Sequence, residues 1–382
     1  LKSAGKYIEA NQLLQTHMAT AGDNPIFRLN ADKQSLYNKI LNYGKTRISN
    51  VPVNSAHAEF GPALYDGFLY FESTRPVNGG KSGEGYFNLL AHPLGDSLNT
   101  IVQPKGVFGK PAEIIIVGNR RTLSIPAEIN KSHNDGPLYI TPDGRHLFYT
   151  TNWDHQGKPS FRNPYLNLDY DHQALENAQK VEVGRIRLNI YYSVKEGDTW
   201  GLPVPFPYND DRWSNQHACF DQTTGTLFFS SDRPGGFGGF DIWKSVLEGA
   251  NWTEPENLGP HINTVKNEVF PTLGPEGHLI FSSNGWPGLG GLDAFITGYP
   301  GMDPLNMLAG INSGLDDFGL VFTGKGNGYL VSNRTGTMGE DDIFAFEADV
   351  EDILDHHFPE RKILLVDSKT GDYLSGKVTI SE

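Results

Sequence analysis

Apolar residues along most of this chain come in short runs closed by glycine or proline, and one such pattern returns at a fixed distance. Residues 216–296 hold it twice. The first copy carries His217-Ala218-Cys219-Phe220, then Gly225 and Leu227-Phe228-Phe229-Ser230-Ser231, then Gly238-Gly239-Phe240-Asp241. The second carries Glu268-Val269-Phe270-Pro271, then Gly277 and Leu279-Ile280-Phe281-Ser282-Ser283, then Gly290-Gly291-Leu292-Asp293. His217 to Glu268 is 51 residues, and Gly225 to Gly277 and Asp241 to Asp293 are both 52. One offset shared by three landmarks is an internal repeat. Runs of Phe, Leu, Ile and Tyr bounded by turn residues predict strands. Asp66-Gly67, Asp143-Gly144, Glu276-Gly277 and Asn327-Gly328 supply the tight turns. A fourth strand carrying Trp252 and Pro255 suits a sheet edge.

Four antiparallel strands per repeat make a propeller blade. Further copies begin at Glu59, Asp135 and Asp317, which gives five first strands. A second landmark agrees: Val53-Asn54, Ile129-Asn130, Tyr208-Asn209, Ile262-Asn263 and Ile311-Asn312 each precede a first strand. The earliest of these lies ahead of blade one. Residues 48–53 are therefore expected to pair beside residues 342–347 and close the ring, removing an exposed sheet edge. The expected fold is mainly β, a five-bladed β-propeller, with six blades as the alternative because the first two intervals are longer. Short N-terminal helices and a C-terminal β-sandwich fragment flank it. The expected boundaries are a helical tail over 1–45, the propeller over 46–350, a linker over 351–360 and the start of a sandwich over 361–382.

The Asp/Glu-x-x-Pro, Gly-x-Leu-aromatic-Phe-Ser-Ser and Gly-Gly-x-Asp-Ile pattern resembles the TolB-like, WD-like propeller repeats of OmpA-family proteins from Bacteroidetes. In that family a tetratricopeptide region comes first, then the propeller, a carboxypeptidase-regulatory-like sandwich, and a peptidoglycan-binding domain. Members include the PorE-type component of the type IX secretion apparatus. The resemblance covers about residues 46–350. It implies a periplasmic, outer-membrane-associated protein whose partners are envelope or secretion proteins, with peptidoglycan gripped by a domain outside this chain. The chain begins inside a helical pattern at Leu1, so a preceding segment is expected, and the periplasmic address rests on the resemblance alone.

A formal net charge of -14 disfavours nucleic acid, whose phosphates it repels. No stretch is apolar for long enough to cross a bilayer, so no membrane insertion of this segment is expected. The single cysteine, Cys219, lies in an inner-strand pattern and reads as a buried small hydrophobe. Gly80-Lys81-Ser82 fails the phosphate-loop spacing because Arg75 stands where the first glycine belongs. Residues 193–200 nearly spell a sialidase Asp-box, but Lys195 replaces its defining aspartate. No nucleophile elbow and no metal-ligand spacing is present, and no cofactor or metal is expected. His356-His357 reads as part of a solvated linker, and residues 113–117 as a buried or edge strand of blade one.

Two groups of candidate site residues remain. Glu59, Asp135, His217, Glu268 and Asp317 open the inner strands, where a ring of carboxylates could bind a cation or small ligand at the axial mouth. Because the position recurs in every repeat, a role in holding the blade is the stronger reading. The other group lies in the insertion over residues 153–182: Trp153, His155, Phe161, Tyr165 and Tyr170 are partner-contact candidates. Asp241, Asp293 and Asp342 are expected to accept backbone hydrogens from the loops before them. The expected function is a non-catalytic periplasmic scaffold, not an enzyme. The alternative is a carbohydrate-active enzyme of the five-bladed glycosidase kind, or a glycan-binding propeller. A deep axial pocket with unequal carboxylates favours that alternative, and a plugged mouth favours the scaffold.

Overall fold

The structure, a computed structural model, describes residues 33–75, 87–94, 112–116, 119–123, 129, 135–152, 187–197, 199–298, 303–357, 365–366 and 373–374. Five antiparallel sheets stand around a ring as a five-bladed propeller, and the six-bladed alternative is excluded. The inner strands are Glu59–Tyr65, Asp135–Ile140, Asn215–Asp221, Glu268–Leu273 and Asp317–Phe322. Each lies beside the next, and the fifth lies beside the first.

Ring closure follows the expected route. Strand Arg47–Asn50 pairs antiparallel with Asp342–Glu347, with Ile48 opposite Phe346 and Asn50 opposite Phe344. Just beyond it, Asn54 completes the seam with its side chain. Its Oδ1 accepts the Ile343 N–H at 2.9 Å and its Nδ2 donates to the Ile343 carbonyl at 2.6 Å. Asn209, Asn263 and Asn312 make the same two bonds to Ile190, Ile242 and Ala294. The asparagine amide thus stands in for one more residue of strand, which explains why this residue recurs ahead of each blade. Replacing Asn54 by alanine leaves the buried Ile343 N–H without a partner and its carbonyl with the Val51 N–H alone, at 3.4 Å. The expected loss is about 1–3 kcal/mol, read from chemical denaturation, the cost of one orphaned buried group.

A second set of bonds joins blade to blade. The first residue of an inner strand donates its N–H to the residue before the third strand of the previous blade. Glu59 reaches Asp341 O at 2.7 Å, Asn215 reaches Leu188 O at 2.8 Å, Glu268 reaches Phe240 O at 2.6 Å and Asp317 reaches Leu292 O at 2.7 Å. The glycine pairs serve the same joints. A Cβ on Gly238 would sit 2.4 Å from the Lys266 carbonyl oxygen, and one on Gly339 would sit 2.1 Å from that of His57. Only glycine lets the loop between strands two and three rest on the next blade so closely.

Two helices pack outside blades four and five. Helix α1 spans Lys33–Leu41 and α2 spans Val350–His357. Tyr37 and Ile40 of α1 and Val350 and Ile353 of α2 share one apolar cluster with Ile296, Met307 and Phe344. His356 and His357 are not solvated as expected. His356 Nε2 lies 2.7 Å from the Lys39 carbonyl, and His357, buried, has Nε2 2.6 Å from that of Asn306. The amphipathic spacing of Val350, Ile353 and His357 makes this stretch a helix that staples the two ends of the propeller together.

Residues 113–117 also depart from expectation. Strand Ala112–Ile116 pairs with Asn119–Leu123 as a separate hairpin, not with blade one. Beyond α2 the described residues are an antiparallel pair, Leu365–Val366 with Tyr373–Leu374. The expected first helix and the insertion over 153–182 lie outside the described residues. No helix among the described residues is long and apolar enough to cross a membrane.

Candidate functional site

Register across the first two strands of each blade shows which residues are equivalent. Glu59 faces Ser73, Asp135 faces Thr151, Asn215 faces Ser231, Glu268 faces Ser283 and Asp317 faces Ser332. Blade three therefore opens on Asn215, and His217 is corrected to a position two residues further in. The sequence pattern hides this because an extra residue lengthens the approach loop of blade three: six positions separate Asn209 from Asn215, against five from Asn54 to Glu59.

The opening carboxylates do not face an axial mouth. Glu59, Glu268 and Asp317 are fully buried. Glu59 accepts the Ser55 N–H at 2.8 Å, the Ser55 and Ser73 hydroxyls at 2.7 Å each, and the Arg75 guanidinium at 2.7 Å. Asp317 accepts the Ser313 N–H at 2.5 Å, the Ser332 hydroxyl at 2.7 Å and Arg334 at 2.5 Å. Burial raises the pKa of Asp317, and the Arg334 charge opposes that shift. In blade three the neutral Asn215 accepts from Arg233 at 2.9 Å. That guanidinium also lies over Trp243, Phe229 and Trp213, at 5.3, 5.2 and 5.9 Å from the ring centres. Each cation also donates to the carbonyl ahead of the recurring asparagine: Arg75 to Val53, Arg233 to Tyr208 and Arg334 to Ile311. These are latches that fix the approach loop to the blade. Asp135 holds the equivalent backbone position in blade two. Glu59, Glu268 and Asp317 are thus each held within their own blade and are not brought together as a cation or ligand site.

The arginines do not stand out in the sequence. Their signal is positional, two residues past the end of the second strand (Ser73, Ser231 and Ser332), and blades two and four break it with Trp153 and Gly285. In blade four Trp286 takes over, donating its indole N–H to the Ile262 carbonyl at 2.8 Å.

The layer below the latches is packed. Every inner strand bulges there, and Gly61, His217, Phe270 and Gly319 take left-handed φ of 61°, 54°, 53° and 60°. His217 stacks on Phe270 with centroids 3.6 Å apart and planes 13° apart. A Cβ on Gly319 would lie 3.7 Å from Phe270 and 3.8 Å from Pro62, and one on Gly61 would lie 3.1 Å from Pro137. Residues from all five inner strands meet here, so this part of the ring is filled with side chains.

On the face above the latches, the loops between strands two and three are held at both ends. Asp241 accepts the Phe237 and Gly238 N–H groups, Asp293 those of Leu289 and Gly290, and Asp342 those of Met338 and Gly339, as expected. Yet the loop tips present apolar side chains to solvent: Phe237 is 46 % exposed and Met338 63 %, and Val265, in the approach loop beneath Phe237, is 43 % exposed. One acid on this face is not evident from the sequence pattern. Asp341 holds the place taken by Phe87, Leu188, Phe240 and Leu292 in the other blades, and is half-buried. Burial, helped by Asp316, Glu340 and Asp342, pushes its carboxyl up to about 6. The break in an otherwise apolar position is the available signal. Trp153, His155, Phe161, Tyr165 and Tyr170 lie outside the described residues. No cluster of three or more metal-ligating side chains is present among the described residues.

No family model matches this sequence, and no curated protein matches it. Solved structures do. A puromycin-hydrolysing peptidase from Mycobacterium tuberculosis aligns over 87 % of this chain and 55 % of its own, at 12 % identity and a TM-score of 0.38. The chain therefore spans about half the length of that peptidase. An alpha-L-arabinofuranosidase from Lactobacillus brevis aligns over 86 % of this chain and 97 % of its own, at 13 % identity and a TM-score of 0.38. A GH32 beta-fructofuranosidase from Bombyx mori aligns over 77 % and 60 %, at 11 % identity and a TM-score of 0.40. These neighbours correct one expectation. The expectation that the chain is not an enzyme is withdrawn: the solved structures it is similar to include glycosidases and peptidases beside a Dyadobacter fermentans protein of unknown function, and at 11–13 % identity they show the fold alone. The likeness assigns no activity to this chain.

Proposed function

We propose that this chain is a binding propeller of the bacterial cell envelope that presents the face carrying the strand-two-to-three loops to a protein partner. The observation that carries the proposal is the pairing of fixed loops with exposed apolar tips. Phe237 and Met338 sit in loops whose backbones are tied down by Asp241 and Asp342, and Gly239 donates to Lys266 O across the blade junction at 2.6 Å. Loop backbones fixed in this way lose little entropy when a partner covers the side chains they carry. The envelope setting, and a place beside the type IX secretion apparatus, follow from the family resemblance of the repeats.

A photo-crosslinking residue placed at 237 and at 338, with one at Ala250 in the hairpin at the opposite end of blade three, tests the reading in envelope extract. The same partner should be captured from positions 237 and 338 and not from 250. Equal capture from all three positions, or none from the first two, overturns it.

Asp341 favours a second reading, carbohydrate recognition or chemistry on this face at the junction of blades five and one. A carboxyl poised to about 6 is suited to donating or accepting a proton near neutral pH. Asp341→Asn should then abolish binding or turnover of glycans in a panel screen while the thermal melt stays intact; a panel with no response to the unaltered protein excludes this reading.

A further inference from the structure

We propose that the junction between blades three and four is a proton-controlled joint, closed while Glu268 is neutral and loosened when it ionises. The latches of the other blades set the contrast. Those of blades one and five pair a buried carboxylate with a guanidinium, at 2.7 Å for Glu59–Arg75 and 2.5 Å for Asp317–Arg334. Blade three has the cation with a neutral asparagine. Blade four alone among the described latches has the carboxylate without a cation. Gly285 stands where the arginine belongs, and a Cβ there would lie 1.9 Å from Thr264 Oγ1. The loop geometry thus excludes any side chain at that position unless Thr264 moves.

What surrounds Glu268 is uncharged. It accepts the Thr264 N–H and hydroxyl at 2.7 Å each and the Ser283 hydroxyl at 2.6 Å. Lys266, on the same approach loop, points its side chain to solvent. From blade three the charged group that bears on it is Asp241, of the same sign. Burial, offset in part by the hydroxyl and amide donors, pushes Glu268 up to about 8. The titrating residue is also the mechanical one. Its own N–H bonds Phe240 O of blade three at 2.6 Å, and the preceding Asn267 accepts the Phe240 N–H at 3.0 Å.

The sign follows from linkage. The folded state holds this proton more tightly than the open joint, where the carboxyl returns to its ordinary 4.5. Closure is therefore fully supported below pH 4.5 and weakens as pH rises toward 8, by up to about tenfold in the opening constant per pH unit. Above about 8 the effect levels off. Phe237 and Val265 both lie at this junction, so the same proton sets how firmly that part of the loop face is held.

Hydrogen exchange of the amides in residues 215–221, 264–273 and 279–283 tests the proposal, corrected for intrinsic exchange, from pH 5.5 to 9. Glu268→Gln keeps the shape and stays neutral. The unaltered protein should lose protection at this junction as pH rises, while Glu268→Gln keeps it and the Asp317 junction responds equally in both proteins. Matching pH responses of the two proteins at the blade three–four junction overturn the proposal. Should Glu268→Gln not fold, glutamate side-chain carboxyl carbons can be titrated by NMR in the unaltered chain. One glutamate with a midpoint near 8 supports the joint, and glutamates that all titrate below 6 overturn it.

Discussion

Arg334→Met should cost about 3–5 kcal/mol of folding free energy, the range for removing one partner of a buried ion pair. The guanidinium is 13 % exposed and its carboxylate not at all, so water cannot take over the bond. Removing the cation leaves the Asp317 carboxyl, whose ionised form burial already disfavours, with only the Ser332 hydroxyl and the Ser313 N–H to hold it, so it must either stay charged without a counter-ion or take up a proton to fold. It also strips donors from the Gly310 and Ile311 carbonyls. Asp317→Asn should cost much less, about 1–2 kcal/mol, because blade three already runs on an Asn215–Arg233 latch. The double variant Arg334→Met, Asp317→Asn should recover the part of the loss that comes from the unpaired carboxyl, while the part due to the Gly310 and Ile311 carbonyls remains. Urea unfolding of the four proteins measures the cycle. An Arg334→Met midpoint shift worth less than about 1 kcal/mol, well short of what a broken buried pair costs, would mean the latch carries little energy.

The latches also show how far the sequence could be read. Strand runs, the fifty-residue offset and the stray Asn54 were enough for blade number and for the closing strand, because period and turn chemistry are local properties. Aspartates after Gly-Gly could be assigned to loop capping for the same reason. The carboxylates could not be placed from sequence: whether Glu59 points to a channel or into a blade depends on a bulge two residues later that reverses the strand's facing. His217 aligns with them by chain position, and only register with Ser231 moves that role to Asn215. Asp341 is hidden because acids are common in turns; its meaning comes from the apolar residues that occupy its place in the other blades.

Acid should weaken the ring through His217, and this effect runs opposite to that of Glu268. The imidazole is 6 % exposed, and its Nδ1 accepts the Phe270 N–H at 3.3 Å, so the neutral ring carries its proton on Nε2. A second proton would face that N–H donor and put a charge where water does not reach it. Burial pushes His217 down from 6.5 to about 3. A depressed histidine contributes its stability in full above the unfolded value, and loses it as pH falls from 6.5 toward 3. Over the whole range this amounts to on the order of 5 kcal/mol, at about 1.36 kcal/mol per unit. His217→Asn isolates it. Asparagine tolerates the left-handed φ of 54°, its Oδ1 can replace Nδ1 as the acceptor, and it does not titrate. In urea melts from pH 4 to 7 the stability difference between the unaltered protein and His217→Asn should shrink steadily as acid is added; parallel curves would show that the imidazole is not held neutral. Between about 4.5 and 6.5 the His217 and Glu268 slopes are of opposite sign and similar size, so their joint contribution is flat there. Above that window Glu268 governs the loss and below it His217 does. Removing either group should therefore tilt the window in a known direction, downward with rising pH in His217→Asn and upward in Glu268→Gln.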